Sequence, residues 1–170
     1  MLLARADSGA DSIILKPVDL AEAVREACAE ARVLAEARQV GLHIELPSDC
    51  LFLGDDHALR RLFLILLDNA IKYTHPGGAT RVRMAIDDSM PGRNAIVEVR
   101  DTGVGISPED LPHIFERFYR ASKDRSRTTG GVGLGLSIAQ WIVARHGGEI
   151  LVESAPGAGS VFHVRLPLAS

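Results

Sequence analysis

Leu20, Val24, Ala27, Ala31 and Leu34 recur at alternating steps of four and three, the spacing that lines one face of a helix. Asp19 follows Pro17 and pairs with Glu22 as a capping-box start, so a helix is predicted over about 19 to 40, closed by Gly41. Strands are predicted at about 42 to 46 and 51 to 53. Leu59, Leu62, Phe63, Leu66, Ala70 and Tyr73 then mark a second helical face that ends near His75, Pro76 and Gly77, and Asn69 falls on that stripe. The period changes to two where Val82, Met84 and Ile86 alternate, and again where Ala95, Val97 and Val99 do, which predicts a hairpin turning through Asp88 to Asn94. A short Pro-started helix at 108 to 113 and a third long helix at about 133 to 146 follow, the latter stopped by Gly147 and Gly148. Strands at 149 to 153 and 161 to 166 flank the turn SAPGAGS.

This order of elements is α+β: a two-layer arrangement in which one largely antiparallel sheet is covered on one face by three helices. The first sixteen residues, MLLARADSGADSIILK, read as the tail of an element that starts elsewhere, which leaves residues 17–170 as the domain proper. Composition narrows the class. A chain of 170 residues, 46% hydrophobic and with mean hydropathy +0.11, is an ordinary globular domain rather than a disordered or fibrous one. The net charge of -3 carries no basic excess for a nucleic-acid backbone, so any phosphate binding is local. Cys28 and Cys50 lack disulfide-framework or zinc spacing, which fits a reducing cytoplasm. The apolar run Leu62 to Leu67 is far shorter than the ~20 residues of a membrane span, so no membrane contact by this chain is expected.

Four segments could carry chemistry. Asp101 opens DTGVGI directly after a strand and shares a face with Val97 and Val99. A carboxylate there is either an acceptor for the exocyclic amine of an adenine, with Gly103 and Gly105 letting a flat ligand approach, or a turn residue beside a glycine loop. Gly131, Gly133 and Gly135 precede a helix, where amides and helix dipole suit anionic oxygens, although a hinge with close helix packing explains them equally. Asn69, Lys72 and Tyr73 are spaced i, i+3, i+4, so an amide for Mg²⁺, an ammonium for phosphate and a ring for a base can converge, although a hydrogen-bonded core amide is the usual explanation of an Asn on an apolar helix face. Between Phe118 and Gly131 lie Arg120, Lys123, Arg125 and Arg127, a solvated loop or a cationic lid. None of the six histidines has metal-ligand spacing, and His146 falls at a helix C-terminus, where a positive charge suits the dipole. No GxSxG or HExxH pattern supports hydrolysis by a nucleophile or zinc.

The succession DNAIKYT, DTGVGI, FERFYRA and GGVGLGLSI resembles the N, G1, F and G2 boxes of the catalytic ATP-binding domain of sensor histidine kinases. The resemblance covers about residues 17 to 168 and implies the Bergerat-type sandwich, with a left-handed crossover, shared with gyrase and chaperone ATPases. It implies that Asn69 holds Mg²⁺, Lys72 meets phosphate, Tyr73 covers the adenine and Asp101 accepts from its amine. Gly103 and Gly105 would shape the base pocket, and Phe115 and Phe118 would anchor the lid. Arg120 would face the γ-phosphate, while Gly131, Gly133, Leu134, Gly135 and Leu136 would line the phosphates. The implied activity is protein-histidine kinase chemistry in a two-component phosphorelay, with ATP and Mg²⁺ as cofactors and an acceptor histidine outside this chain. The implied partners are the parent's dimerisation and phosphoacceptor domain and a response regulator, with the isolated domain a monomer and the parent cytoplasmic or anchored in the cell membrane. One position departs from the pattern: Ile65 stands one turn before Asn69, where a second polar residue is usual. Ile65 leaves open a nucleotide-binding regulator without transfer, and an anti-sigma-factor-type serine kinase is the further alternative.

Overall fold

The computed structural model describes residues 12–89, 91–121 and 133–168. Strand β1 (Lys16–Asp19) leads into helix α1 (Leu20–Ala37), followed by β2 (Gly41–Glu45) and β3 (Leu51–Gly54). Helix α2 (Asp56–Lys72) precedes the hairpin β4 (Ala79–Asp87) and β5 (Asn94–Asp101). After a single 3₁₀ turn at Leu111–His113 come α3 (Gly135–Arg145), β6 (Glu149–Ser154) and β7 (Ser160–Pro167).

Five strands form one sheet in the order β2-β4-β5-β7-β6. The β2–β4 pair is parallel and the other pairs are antiparallel, so the sheet is mixed. Side chains of a strand alternate between faces, and the register lines up Val82, Val99, Phe162 and Val152, then Met84, Val97, Val164 and Ile150, on one side. The three helices pack over these rows, with Leu20, Val24, Leu62, Phe63, Leu66 and Ile142 among the side chains that close the core. Leu62 and Phe63 are fully buried, so truncating either to Ala costs about 2–5 kcal/mol. The opposite face carries the alternate residues Arg81, Arg83, Glu98, Arg100, His163 and Arg165.

The expected α+β sandwich with three helices on one face is therefore present, with local corrections. Strand β3 does not join the main sheet; it pairs antiparallel with β1, a strand that the hydrophobic pattern does not predict. Asp19 explains that placement, because its carboxylate caps α1 through the Ala21 and Glu22 amides and also accepts from the Cys50 N–H at 2.9 Å. Glu22 does not complete a reciprocal capping box; its carboxylate pairs with Arg25. Helix α1 stops at Ala37, before Gly41, because Gln39 takes the left-handed conformation at φ 57°. The helix expected over 108 to 113 is only the 3₁₀ turn, and α3 begins at Gly135 rather than 133. Of the segment expected to be a tail, residues 1–11 lie outside the described residues.

His146 corrects the charge expected at the end of α3. Its ring is buried, with Nδ1 2.8 Å from the Ile142 carbonyl and Nε2 accepting from the Asp55 N–H at 3.0 Å. A carbonyl requires a donor and an N–H requires an acceptor, so these partners select the neutral ring with its proton on Nδ1. Asp55 in turn caps α2 through the Ala58 N–H and accepts from the Ile14 N–H, each at 3.0 Å. Cys28 and Cys50 are free buried thiols, and burial pushes that of Cys28 up to about 11.

Candidate functional site

The last turn of α2 brings Asn69, Lys72 and Tyr73 to the end of the sheet where β4 starts and β5 stops. All three are half-buried, so Asn69 stands at the edge of the apolar stripe, not on it. The fully buried positions of that turn are Leu66, Leu67, Ala70 and Ile71. The Lys72 ammonium lies 3.5 Å from the Asp68 carboxylate, an i, i+4 pair on the exposed side. Tyr73 closes the helix, its N–H on the Asn69 carbonyl at 3.0 Å.

Asp101 ends β5 on the helix-facing side and is 6% exposed. Burial pushes its carboxyl above the ordinary carboxylate range, opposed by hydrogen bonds from the Gly103 and Ser160 backbone N–H groups. The Gly103 N–H donates to Oδ1 at 2.8 Å. The two glycines of this loop turn out to meet protein backbone. A Cβ on Gly103 would lie 2.3 Å from the Tyr73 carbonyl oxygen, and one on Gly105, at φ +72°, would lie 1.9 Å from that of Ala155. The loop is thus clamped between the end of α2 and the β6–β7 turn. Val104 donates to the Tyr73 carbonyl at 3.1 Å, and its own carbonyl accepts from Gly157 at 2.8 Å.

The aromatic segment divides in two. Phe115 packs edge-on against Phe162, with ring centroids 6.4 Å apart, but Phe118 is 60% exposed. Of the two phenylalanines, only Phe115 is packed against the core. Phe118 sits at φ 66° and donates its N–H to the Gly133 carbonyl at 2.9 Å, which ties the two ends of the intervening segment together. Tyr119, which no sequence pattern singles out, places its hydroxyl on Asp110, and Ser107 donates to the other carboxylate oxygen at 2.8 Å. Arg120 follows, half-buried. Gly131, Val132, Lys123, Arg125 and Arg127 lie outside the described residues.

Leu134 and Gly135 begin α3. Leu134 occupies the N-cap position, and no side-chain hydrogen bond caps the helix among the described residues. Uncapped amides and the helix dipole at this end suit an anion. Gly135 faces Ile65: a Cβ there would stand 3.2 Å from Ile65 Cγ2. Leu136 is half-buried and packs on the core. Ile65, Asn69 and Tyr73 share one face of α2, with Ile65 against the start of α3 and the Tyr73 carbonyl against the Asp101 loop. Asn69 lies between the two loops. Among the described residues no group of three or more His, Cys, Asp and Glu side chains could hold a metal ion by itself.

A family model described as histidine kinase-, DNA gyrase B-, and HSP90-like ATPase matches residues 54–170. The sensor histidine kinase RppB of Synechocystis sp. is 46% identical over 136 residues, which are 77% of this chain and 29% of RppB. YkoH of Bacillus subtilis, also a sensor histidine kinase, is 40% identical over 163 residues, 94% of this chain and 33% of YkoH. The chain thus spans about a third of the length of these curated relatives. Of solved structures, the mycobacterial sensor histidine kinase MprB aligns with a TM-score of 0.76 at 33% identity, covering 90% of this chain and 98% of that one. Full-length ShkA in complex with AMPPNP aligns at 0.79 and 28% identity, covering 98% of this chain and 34% of that one. Since the family model takes in more than half of the chain and a sensor kinase structure superposes along nearly all of it, the chain belongs to the histidine kinase-, DNA gyrase B- and HSP90-like ATPase family, as a catalytic domain of the sensor histidine kinase type.

Proposed function

We propose that this chain holds ATP with Mg²⁺ and delivers the γ-phosphoryl group to a histidine on a separate dimerisation and phosphoacceptor domain. In this reading residues 1–16 are the tail of that domain, residues 17–170 are the catalytic unit, and a response regulator takes the phosphoryl group onward. The observation that carries the proposal is the placement of a buried carboxylate, Asp101, and an uncapped helix N-terminus, at Gly135, on either side of Asn69. The carboxylate accepts from the adenine amine, Tyr73 covers the ring, and the Gly103 to Gly105 backbone fixes the loop from which Asp101 projects. The amides of Leu134, Gly135 and Leu136, with Gly131 and Gly133 before them, receive the phosphates. Phe118, whose N–H is held on the Gly133 carbonyl, would close on the nucleotide from the side of α3, followed by Arg120.

One amide oxygen fits Mg²⁺ here, because Mg²⁺ keeps several waters and is held by one or two protein groups together with substrate phosphates. When bound, the ion neutralises charge on the β- and γ-phosphates. Lys72 adds positive charge, and Arg120 meets the γ-phosphate as charge redistributes in the transition state. Transfer is then mainly a matter of positioning, with the imidazole nucleophile brought by the partner. The apolar contact between Ile65 and Gly135 favours a second reading, a domain that binds nucleotide without transferring it. Incubation with γ-labelled ATP and the parent's acceptor domain separates the two. Transfer places acid-labile label on the acceptor and none on this chain, whereas an unlabelled acceptor supports the silent binder. Among the described residues no helix is long and apolar enough to cross a membrane.

A further inference from the structure

The helices cover one face of the sheet, and the charges on the other face fall into two halves. Toward β6 they are matched within the chain. Arg165 pairs with Glu149 at 2.9 Å, and the His163 ring lies between Glu98 and Glu153, 3.8 and 3.4 Å away. Toward β2 they are not matched. His43, Arg81 and Arg100 stand in one row across β2, β4 and β5, and all three are exposed. Arg81 and Arg100 are direct cross-strand partners, and like charges in that relation destabilise a sheet. Arg100 pairs with Glu98 at 3.2 Å, whereas the side chains of Arg81 and Arg83 have no ion pair or hydrogen bond among the described residues.

On the same face lies a shallow cavity of about 210 Å³, lined by Ile96, Leu151, Glu153, His163 and Arg165. A single exposed leucine is ordinary on a protein surface. Here Leu151, 51% exposed, joins Ile96 in lining a concavity with room for one large side chain. Ile96 and Arg100 are four residues apart on β5, which puts the cavity and the basic row ~13 Å from each other.

We propose that this open face docks an extended acidic segment of a partner protein, with one apolar side chain seated between Ile96 and Leu151 and carboxylates over Arg81 and Arg100. Charge complementarity selects the partner. A carboxylate between the two guanidinium groups turns the like-charge contact of the free domain into two charge-assisted pairings. A nucleic-acid backbone is disfavoured, because Glu45 and Glu98 flank Arg83 in its row and Glu153 lines the cavity, so acidic groups meet phosphate throughout. An extended chain covers ~13 Å in about four residues, so the recognised pattern is an apolar residue with acidic residues about four positions away. The face lies on the other side of the sheet from Asp101, and the proposal does not depend on the nucleotide reading.

The test is selection of a display library of random peptides on the 170-residue chain, with counter-selection on the Arg81→Glu, Arg100→Glu double variant. Enriched peptides are then titrated by fluorescence anisotropy. They are expected to carry acidic residues about four positions from an apolar one. Arg81→Glu and Arg100→Glu should each weaken them about 10-fold or more, by setting like charges against each other. Leu151→Ser, at an exposed position, should weaken them about 5-fold. Arg81→Glu replaces a like-charge pair by an opposite one, so this variant should be at least as stable as the parent in urea while it loses the peptide. A selection that enriches nothing, or peptides without the acidic and apolar pattern, overturns the proposal. So do peptides that bind Leu151→Ser as tightly as the parent, an Arg81→Glu variant that loses stability along with binding, and a single-stranded oligonucleotide that binds the chain more tightly than the peptides. Self-association of the parent in sedimentation that Arg81→Glu abolishes assigns the face to a second copy and equally overturns it.

Discussion

Ile65 Cγ2 stands 3.2 Å from the point where a Cβ on Gly135 would lie, so the first residue of α3 rests on an apolar side chain of α2. Asn69, the assigned Mg²⁺ ligand, is one turn further along the same face. Replacing Ile65→Asn places an amide between the helix start and Asn69, where it can hold a water of the ion. The Mg²⁺ concentration for half-maximal ATP binding is expected to fall, by the equivalent of about 0.5–1.5 kcal/mol, offset in part by weaker apolar packing under Gly135. Titrating Mg²⁺ at fixed ATP reads this directly; an unchanged midpoint puts Ile65 outside the reach of the ion.

Asp101 ties nucleotide affinity and stability to pH with opposite signs. Burial raises its folded-state value above that of the unfolded chain. The stability that this group contributes without ligand is therefore fully present below the ordinary carboxylate value and is lost as pH rises through the raised one. ATP binding needs the ionised acceptor, so affinity falls as pH drops through the raised value. Asp101→Asn should weaken ATP by about 1–3 kcal/mol and flatten that acid limb. An acid limb unchanged in the variant assigns it to another group.

Much of this was legible from the chain. Side-chain parity along Ala95 to Asp101 placed the carboxylate on the buried face without any structure, because alternation is a local property. The cross-strand neighbours of Asp101 were not legible, since Thr80 and Ser160 come to stand beside it only through the register of β4 and β7 with β5. The glycines of the DTGVGI loop were singled out for the approach of a flat ligand, whereas their contacts with the Tyr73 and Ala155 carbonyls come from distant segments that no local pattern reveals. The same holds for β1, whose partner β3 lies beyond a whole helix. Asp19 was recognised as a cap, while its second duty on the Cys50 amide, which pins β3, depends on tertiary contact.

Gly105 and Gly157 offer a matched pair. Both have positive φ, +72° and +77°, but only Gly105 has backbone in the space where a Cβ would go; Gly157 has nothing within 4 Å. Gly157→Ala is expected to cost about 1–2 kcal/mol from the left-handed conformation alone. Gly105→Ala must also displace the Ala155 peptide, so its loss in urea denaturation should be clearly larger. Equal losses would mean that the loop does not depend on its clamp against the β6–β7 turn.

His146 joins the C-terminal end of α3 to the start of α2 through the Asp55 N–H. His146→Phe keeps the ring but removes the acceptor, leaving a backbone N–H without its partner. A loss of about 1–3 kcal/mol in unfolding free energy is expected. A variant as stable as the parent would show that the Asp55 N–H finds another acceptor.

In the proposed complex adenine lies against the Asp101 loop and the phosphates at the start of α3, and amide chemical-shift mapping tests that placement most directly. Adding Mg²⁺ and a non-hydrolysable ATP analogue to the isotopically labelled chain should produce the largest shifts at Gly103, Val104 and Gly105 and at Gly135, Leu136 and Ser137. Arg83, Glu98 and His163 on the opposite face of the sheet should remain unmoved. Saturable shifts confined to that opposite face, or no shifts at millimolar analogue, would contradict the site.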